Sequence, residues 1–396
     1  MHTMSDQRLI RAAAVIALSA ALPSFLVGAL APRINEDMRF GATEIGIAMT
    51  VCYTVAGVLS PLGGRVVARL GTTVAARLTC ALATLGLLGI SAAGSAGHLV
   101  LALAVVGCAN TMFQPASNSL LLGVSEPRRQ AFGFGTVQGA IPVAALLSGA
   151  SLAVAGAGPD WRLITLVAAA ATACAQFTIG VGRPAVAPAR SRPANPVASP
   201  RLAVLPLLVT GTIASAAAST LPSFTATAGH ANGLSPTAIA LAQIAGSLGS
   251  VAVRIAAPVA MSNAALGRRL GVVAALMAVG TVGLLLLVTG GQVGFVCGAV
   301  LGFAFGWGWN GLYNQLVAVA SPGRVATTTG ITQAGVFLGG TVGPAIFAVI
   351  AVRAGFGPAW AAMAVLLGIA AIAAISARPR SAAERRPARS SIQKGP

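Results

Sequence analysis

The sequence predicts an all-α polytopic membrane protein, with twelve transmembrane helices in two pseudo-symmetric six-helix bundles. Of its 396 residues, 56% are hydrophobic and only 8% are charged, whereas about a quarter of the residues in a soluble domain are charged. Apolar stretches of roughly 20 residues, the length at which a helix crosses a bilayer, follow one another closely. Only helices and closed barrels satisfy the hydrogen bonds of the backbone in lipid. Apolar and polar residues do not alternate in these runs as they do in barrel strands, so the runs indicate helices.

The two halves of the chain repeat each other. LPSF at residues 22–25 stands again at residues 221–224. A pattern of Pro, Arg, Ala, Gly and Gln between Pro127 and Gln138 recurs 195 positions later, between Pro322 and Gln333. Duplicated apolar halves of this kind are typical of membrane transporters.

The apolar runs and the repeat together define the domain organisation. The predicted spans are 10–31, 43–64, 74–95, 98–122, 131–155, 161–182, 202–228, 236–258, 267–289, 293–318, 326–350 and 356–377. Residues 1–182 are predicted to form the N-terminal bundle and residues 202–377 the C-terminal bundle. Residues 183–201 hold four arginines, five prolines and no acid. We expect them to form an unfolded basic linker and residues 378–396 a disordered basic tail, because neither can bury enough apolar surface.

The distribution of basic residues predicts that both termini are cytoplasmic. With the N-terminus inside, twenty of the 25 Lys and Arg residues fall in inner loops, the linker and the tails. The outer loops hold Arg33, Arg39, Arg162 and Arg353, and Arg254 lies within a span. This bias follows the positive-inside rule for a protein of the cytoplasmic membrane.

The same distribution argues against other functional classes. The net charge of +18 is spread over short loops without a folded basic face, so nucleic acid is not an expected partner. The five cysteines all lie in predicted spans without metal-ligand spacing. No nucleophile–base pair, phosphate loop or metal cluster stands out, so we expect neither enzymatic activity nor a cofactor or metal. The predicted partners are membrane lipid and a small-molecule substrate, and the protein is expected to be monomeric.

Several loops resemble those of the major facilitator superfamily. GGRVVARLG at residues 63–71 is similar to the signature loop between helices 2 and 3, with Gly64, Arg69 and Gly71 at matching positions. Ala68 stands where that family has an Asp that helps to latch the cytoplasmic gate, and Thr72 and Thr73 replace a basic pair. These departures put a conventional latch in doubt.

Four further stretches carry the resemblance across almost the whole chain. SEPRRQAFGFGTVQ and SPGRVATTTGITQ occupy equivalent loops after helices 4 and 10, PDWR opens helix 6, and GWGWNGLYN and GGTVGP lie in helices 10 and 11. Within the superfamily the chain looks most similar to the cyanate-permease-like bacterial branch and to related unassigned permeases. The resemblance implies the major facilitator fold, with helices 1, 4, 7 and 10 lining a central cavity between the bundles.

Polar residues at mid-membrane depth are the candidates for the substrate cavity, because such groups are costly in lipid unless they function or pair. In helix 4, Asn110, Gln114 and Asn118 are spaced for one face. In helix 10 the corresponding stripe comprises Trp307, Asn310 and Asn314, with Tyr313 adjoining it. Amides donate and accept, which suits a polar solute. The alternative interpretation is hydrogen bonding between helices.

A second group of residues comprises secondary candidates for the substrate cavity and residues of a predicted gate loop. Gln138 and Gln333 are related by the repeat, as are Ser24 and Ser223 in the two LPSF segments. Their symmetry favours a structural role, with substrate contact as the alternative. Gly64, Arg69 and Gly71 are assigned to a cytoplasmic gate loop, where Arg69 is also explained as a positive-inside anchor.

Arg254 is the only charge placed inside a span, whereas none of the seven acids is predicted near mid-membrane. The residue either snorkels or donates to helix-end carbonyls, or it faces the cavity and attracts an anionic group. The absent acids leave no carboxylate candidate for proton coupling. The sequence therefore predicts a secondary transporter of a small polar or anionic organic solute. The alternatives are a multidrug-type efflux transporter and a membrane sensor or scaffold.

Overall fold

The computed structural model describes residues 6–38, 42–156, 160–179, 204–289, 291–321 and 323–377. In these ranges every regular element is a helix, and we number the helical segments α1 to α12. The uninterrupted ones are α1 (Asp6–Met38), α2 (Ala42–Leu70), α3 (Thr72–Ser91), α4 (Ala96–Leu121), α5 (Pro127–Gly156), α6 (Trp161–Thr178), α8 (Pro236–Ala260), α9 (Leu266–Val288), α11 (Val325–Ala354) and α12 (Phe356–Ser376). The predicted linker, 183–201, and tail, 378–396, lie outside the described residues.

Two segments are interrupted. The seventh consists of Val204–Ala218 and Thr220–Ala231, together α7, with a break at Ser219. Pro222 lies just beyond this break and cannot donate a backbone hydrogen bond to the preceding turn. The tenth, α10, consists of Gln292–Leu301, a π-helical turn Gly302–Gly306, a short turn at 307–309, and Asn310–Val319. The sequence predicted a continuous helix through α10, so this second break is a correction.

The described helices include eleven that are long and apolar enough to cross a membrane. The remaining segment, α6, has 18 residues that include Arg162 and Gln176. All-helical segments of this number and length confirm the predicted polytopic α-helical fold. Helix α1 continues seven residues beyond the end of its predicted span at residue 31, through Met38.

The predicted gate loop is largely helical, which corrects its boundaries. Gly64 and Arg69 lie in the last turns of α2, because Ala68, Arg69 and Leu70 favour helix. Gly71 alone separates α2 from α3, and it has a φ of 82°, a conformation open chiefly to glycine. Arg69 and Gly71 are exposed, whereas Gly64 is buried.

Each half packs around its own apolar interior. One core cluster is drawn entirely from α7 to α12 and includes Trp309, Phe347 and Trp360. Two others come from α1 to α6, with Ala318 as the one buried contributor from the second half. The two halves therefore bury largely separate cores. A smaller cluster of Val67, Ala75, Met112, Ala116 and Ala326 joins them.

We call the contact surface between the two halves the seam. Here α2 packs on α11 and α5 packs on α8, while α4 and the last part of α10 also contact the opposite half. Glycines allow the closest approach. A Cβ at Gly64 would lie 2.6 Å from the Ala326 carbonyl oxygen, and one at Gly330 would lie 2.7 Å from the Ser60 carbonyl oxygen. These contacts lie near the end of α2 and the start of α11, which is the predicted cytoplasmic end of the molecule.

Candidate functional site

A chain of amide hydrogen bonds runs through the first half at the seam. The Gln138 side chain of α5 donates to Gln114 Oε1 at 2.7 Å, and Gln114 Nε2 donates to Asn118 Oδ1 at 2.9 Å. All three side chains are buried. The predicted helical face of α4 therefore brings Gln114 and Asn118 together.

The amide chain crosses into the second half. Asn118 Nδ2 donates to the Thr329 hydroxyl of α11 at 3.1 Å. Asn118 and Thr329 are fully buried, so this is a polar contact between the halves in a dry environment. Sequence reasoning missed Thr329, because it lies in the run Thr327–Thr329, which shows no spacing to single it out.

A shorter amide chain lies within the second half. Gln333 Nε2 of α11 donates to Asn314 Oδ1 at 2.9 Å, and Asn314 Nδ2 donates to the Asn310 carbonyl at 2.9 Å. The pair of repeated glutamines thus makes similar contacts, each reaching an amide oxygen on the fourth helix of its half. Asn310 itself is partly exposed.

Tyr313 is turned away from this group. It is almost fully buried, and its hydroxyl donates to the Leu207 carbonyl of α7 at 2.7 Å, inside the second bundle. The break in α10 separates Trp307 from the other polar residues of the predicted tenth helix. Trp307 lies in the turn at 307–309, whereas Asn310, Tyr313 and Asn314 share the helix that follows.

Arg254 is buried where α5, α8 and α10 meet. Its side chain is 1% exposed, and its Cα is about 9 Å from the end of α8. One terminal nitrogen donates to the Gln138 carbonyl at 2.8 Å and the other to the Trp307 carbonyl at 2.9 Å. The guanidinium also stacks on the Trp307 ring, 4.6 Å from its centroid. It does not snorkel to an interface. One of its two acceptors, the Trp307 carbonyl, ends the π-helical turn of α10, so the predicted donation to a helix-end carbonyl is present.

Two glycines make room for the Arg254 backbone. A Cβ at Gly135 of α5 would lie 2.6 Å from the Arg254 carbonyl oxygen, and a side chain at Gly311 of α10 would collide with the same carbonyl. The turn at 307–309 interrupts the backbone hydrogen-bond ladder of α10, and the Trp307 carbonyl within it accepts from the guanidinium. Local backbone geometry therefore places the charge at the seam.

No acid in the described ranges is buried, and none forms an ion pair with Arg254. Arg33 pairs with Glu36, Arg129 with Glu126 and Arg162 with Asp37, all near helix ends. The Nε of Arg254 is buried without a hydrogen-bond partner. One turn earlier on the same helix face, the Ser250 hydroxyl is also buried without a partner.

Other predicted residues lie apart from Arg254. Asn110 and Ser24 are buried beside Cys52, with Asn110 Nδ2 3.9 Å and Ser24 Oγ 3.6 Å from its sulfur. Ser223 is exposed and donates to the Ser219 carbonyl of its own helix at 3.0 Å. The repeated serines thus differ in environment.

Comparisons with known proteins agree with this architecture. The family model described as Major Facilitator Superfamily matches residues 13–253 and 206–395. The chain belongs to the major facilitator superfamily. It is therefore a secondary transporter and a multi-pass membrane protein, in a family of transporters rather than enzymes.

Solved superfamily structures share the fold at low sequence identity. The human organic anion transporter MFSD10 (TETRAN) is 14% identical, with a TM-score of 0.72 over 94% of this chain and 100% of its own. FucP in the outward conformation is 12% identical, with a TM-score of 0.67 over 93% and 98%. The proton:xylose symporter XylE bound to 6-bromo-6-deoxy-D-glucose is 12% identical, with a TM-score of 0.77 over 93% and 94%. No curated protein sequence matches the chain.

Proposed function

We propose that this superfamily member moves a small polar or anionic organic solute across the cytoplasmic membrane by alternating access of its two halves. The observation that supports this most is the concentration of buried amides at and beside the seam: Asn110, Gln114, Asn118, Asn314 and Gln333. Amides offer donors and acceptors without a fixed charge, which suits hydroxyl, amide or carboxylate groups on a solute. The solute would exchange with hydrogen bonds that now join these side chains.

The solved relatives do not select among substrates. One is an organic anion transporter and another a proton:xylose symporter, and at such low identity the likeness extends to the fold alone. The resemblance to the cyanate-permease-like bacterial branch stays a prediction, since the family match is to the superfamily as a whole.

A multidrug-type exporter is the second candidate. Tyr53 of α2 and Phe337 of α11 stack across the seam, with ring centroids 6.3 Å apart, and Trp307 lies close by Arg254. Aromatic surfaces suit lipophilic cations, but the buried charge here is positive. This charge disfavours the multidrug alternative, and membership in a superfamily of transporters disfavours a sensor or scaffold role.

A thermal-shift panel on purified protein separates these candidates. We expect small hydroxylated, amide or carboxylate solutes to raise the melting temperature, since a ligand that binds only the folded state stabilises it. Asn110→Ala should reduce the shift, whereas Ser119→Ala, whose hydroxyl bonds only its own helix, should not. A panel in which only lipophilic cations stabilise the protein would favour the multidrug exporter.

A further inference from the structure

Arg254 is the one buried guanidinium that connects the two halves within the described residues. Its bond to the Gln138 carbonyl reaches α5 of the first half, while its bond to the Trp307 carbonyl stays within the second half. The other buried arginine, Arg269, donates only to the Ser262 and Ala264 carbonyls beside it. Arg254 therefore contributes to closure at the predicted cytoplasmic end, and Arg269 does not.

The charge of Arg254 lacks a counter-ion in this closed arrangement. Carbonyl dipoles and the Trp307 ring compensate for it in part. Its Nε and the neighbouring Ser250 hydroxyl remain as buried donors without acceptors. Leaving such groups unpaired is costly. The Nη1 of Arg269 is likewise buried without a partner, so what distinguishes Arg254 is its place between the halves, where an acceptor that carries negative charge would compensate the guanidinium.

We propose that Arg254 and Ser250 form the binding site for the carboxylate of a small organic acid, and that this carboxylate replaces the Gln138 carbonyl on the guanidinium. The inference rests on the proposed transport function and specifies its substrate class. The two terminal nitrogens of a guanidinium donate two parallel hydrogen bonds to the oxygens of one carboxylate. Ser250, on the same helix face, supplies a further donor.

The exchange of partners couples binding to opening. With no carboxylate, the guanidinium holds α5 against α8, so the empty protein is biased toward closure at the predicted cytoplasmic end. A carboxylate that occupies the guanidinium removes the bond between the halves and favours their separation there. Only the protein that holds a carboxylate loses this bond. Exchange of one carboxylate for another is therefore faster than net transport, which requires the empty protein to open at the same end.

The first test compares acids with their amides. Lactate, succinate and benzoate, each beside lactamide, succinamide or benzamide at equal ionic strength, are added to purified protein in a thermal-shift assay. We expect at least one acid to raise the melting temperature by a few degrees and its amide to have no effect. Arg254→Gln should weaken the apparent affinity for that acid at least tenfold, and Arg254→Lys should retain part of it.

Arg269→Gln is the matched control, because it also removes a buried arginine that donates to carbonyls. It should leave the response to the acid unchanged. Equal losses in both variants, or amides that act as well as acids, would overturn the carboxylate site. Stabilisation by neutral solutes alone would also overturn it, while leaving the proposed transport of a polar solute intact.

Hydrogen exchange tests the coupling to opening. The acid should reduce the protection of backbone amides in residues 130–140 and 250–260 of the wild type. Arg254→Gln should show reduced protection there without ligand and no further change with it. A variant that loses protection evenly across both bundles would mark Arg254 as a general folding residue and contradict the inference.

Discussion

Gln114 is the residue on which the polar network of the first half depends. It accepts from Gln138 at 2.7 Å and donates to Asn118 at 2.9 Å, so both ends of its amide are used. An amide fits this place because it carries a donor and an acceptor on one carbon without charge. Removing it leaves two buried groups unpaired.

Gln114→Ala is expected to lower the free energy of unfolding by about 1–3 kcal/mol. Thermal or denaturant unfolding of the purified protein measures this loss. Ser119→Ala on the same helix is the control and should change stability little, because Ser119 bonds only the Pro115 carbonyl of its own helix. Equal stability of the two variants would show that the amide chain does not hold the first half together.

The sequence located these side chains but not their partners. Helical spacing predicted that Gln114 and Asn118 share a face, and they do bond to each other. The partners Thr329 and the Gln138 carbonyl could not be predicted, because they depend on how α11 and α5 dock against other helices. The position of Arg254 along its helix was likewise predicted from the sequence. The acceptors of its side chain were not, because one of them lies in the break of α10.

At the scale of elements, the π-helical turn in α10 is the largest departure from the sequence prediction. The stretch Gly302–Gly311 contains several glycines, which tolerate irregular backbone. Whether they break a helix depends on neighbouring helices, and here Gly308 packs against Val253 of α8. A hydropathy pattern averages over such contacts and therefore predicts a continuous span.

The contact between α2 and α11 depends on Gly330. Gly330→Ala would place a Cβ 2.7 Å from the Ser60 carbonyl oxygen, so the two helices must separate at the predicted cytoplasmic end. We expect hydrogen exchange in residues 325–333 to become about tenfold faster, because overpacking costs about 1–3 kcal/mol.

Gly340→Ala is the control for this substitution on the same helix. A Cβ there meets Ser215 Oγ at 3.7 Å, an ordinary van der Waals distance. Exchange in residues 325–333 should remain at the wild-type rate in this variant. Acceleration of the same size in both variants would mean that any added methyl group loosens α11 and that Gly330 has no special place at the seam.

For the whole molecule, composition and repetition were sufficient to predict a helical membrane protein of two related halves, because hydrophobic length and internal duplication are properties of the chain alone. The arrangement of the helices followed from the resemblance to the superfamily. The closed end was not predictable. It depends on contacts between the halves, such as Asn118 with Thr329 and Gly64 with Ala326, and these pairs carry no sequence signal. The same chain can form other contacts when the halves tilt.

The orientation in the membrane is the prediction that applies to the whole molecule. Asp6 accepts hydrogen bonds from Ser125, so the start of α1 and the connection between α4 and α5 lie at the same end. Asp37 pairs with Arg162 at the opposite end. The positive-inside rule assigns the first end to the cytoplasm, because most basic residues flank it.

Reporter fusions test this assignment. Fusions after Arg128, Arg192 and Arg385 should all report the cytoplasm, and fusions after Asp37 and Gly357 should report the outside. Moving basic residues offers a second check, since neutralising Arg128 and Arg129 together should increase the fraction of molecules with the Arg128 fusion outside. An external Arg192 fusion in the unaltered chain would overturn the predicted even number of spans in the first half, and the arrangement of two inward-facing termini with it.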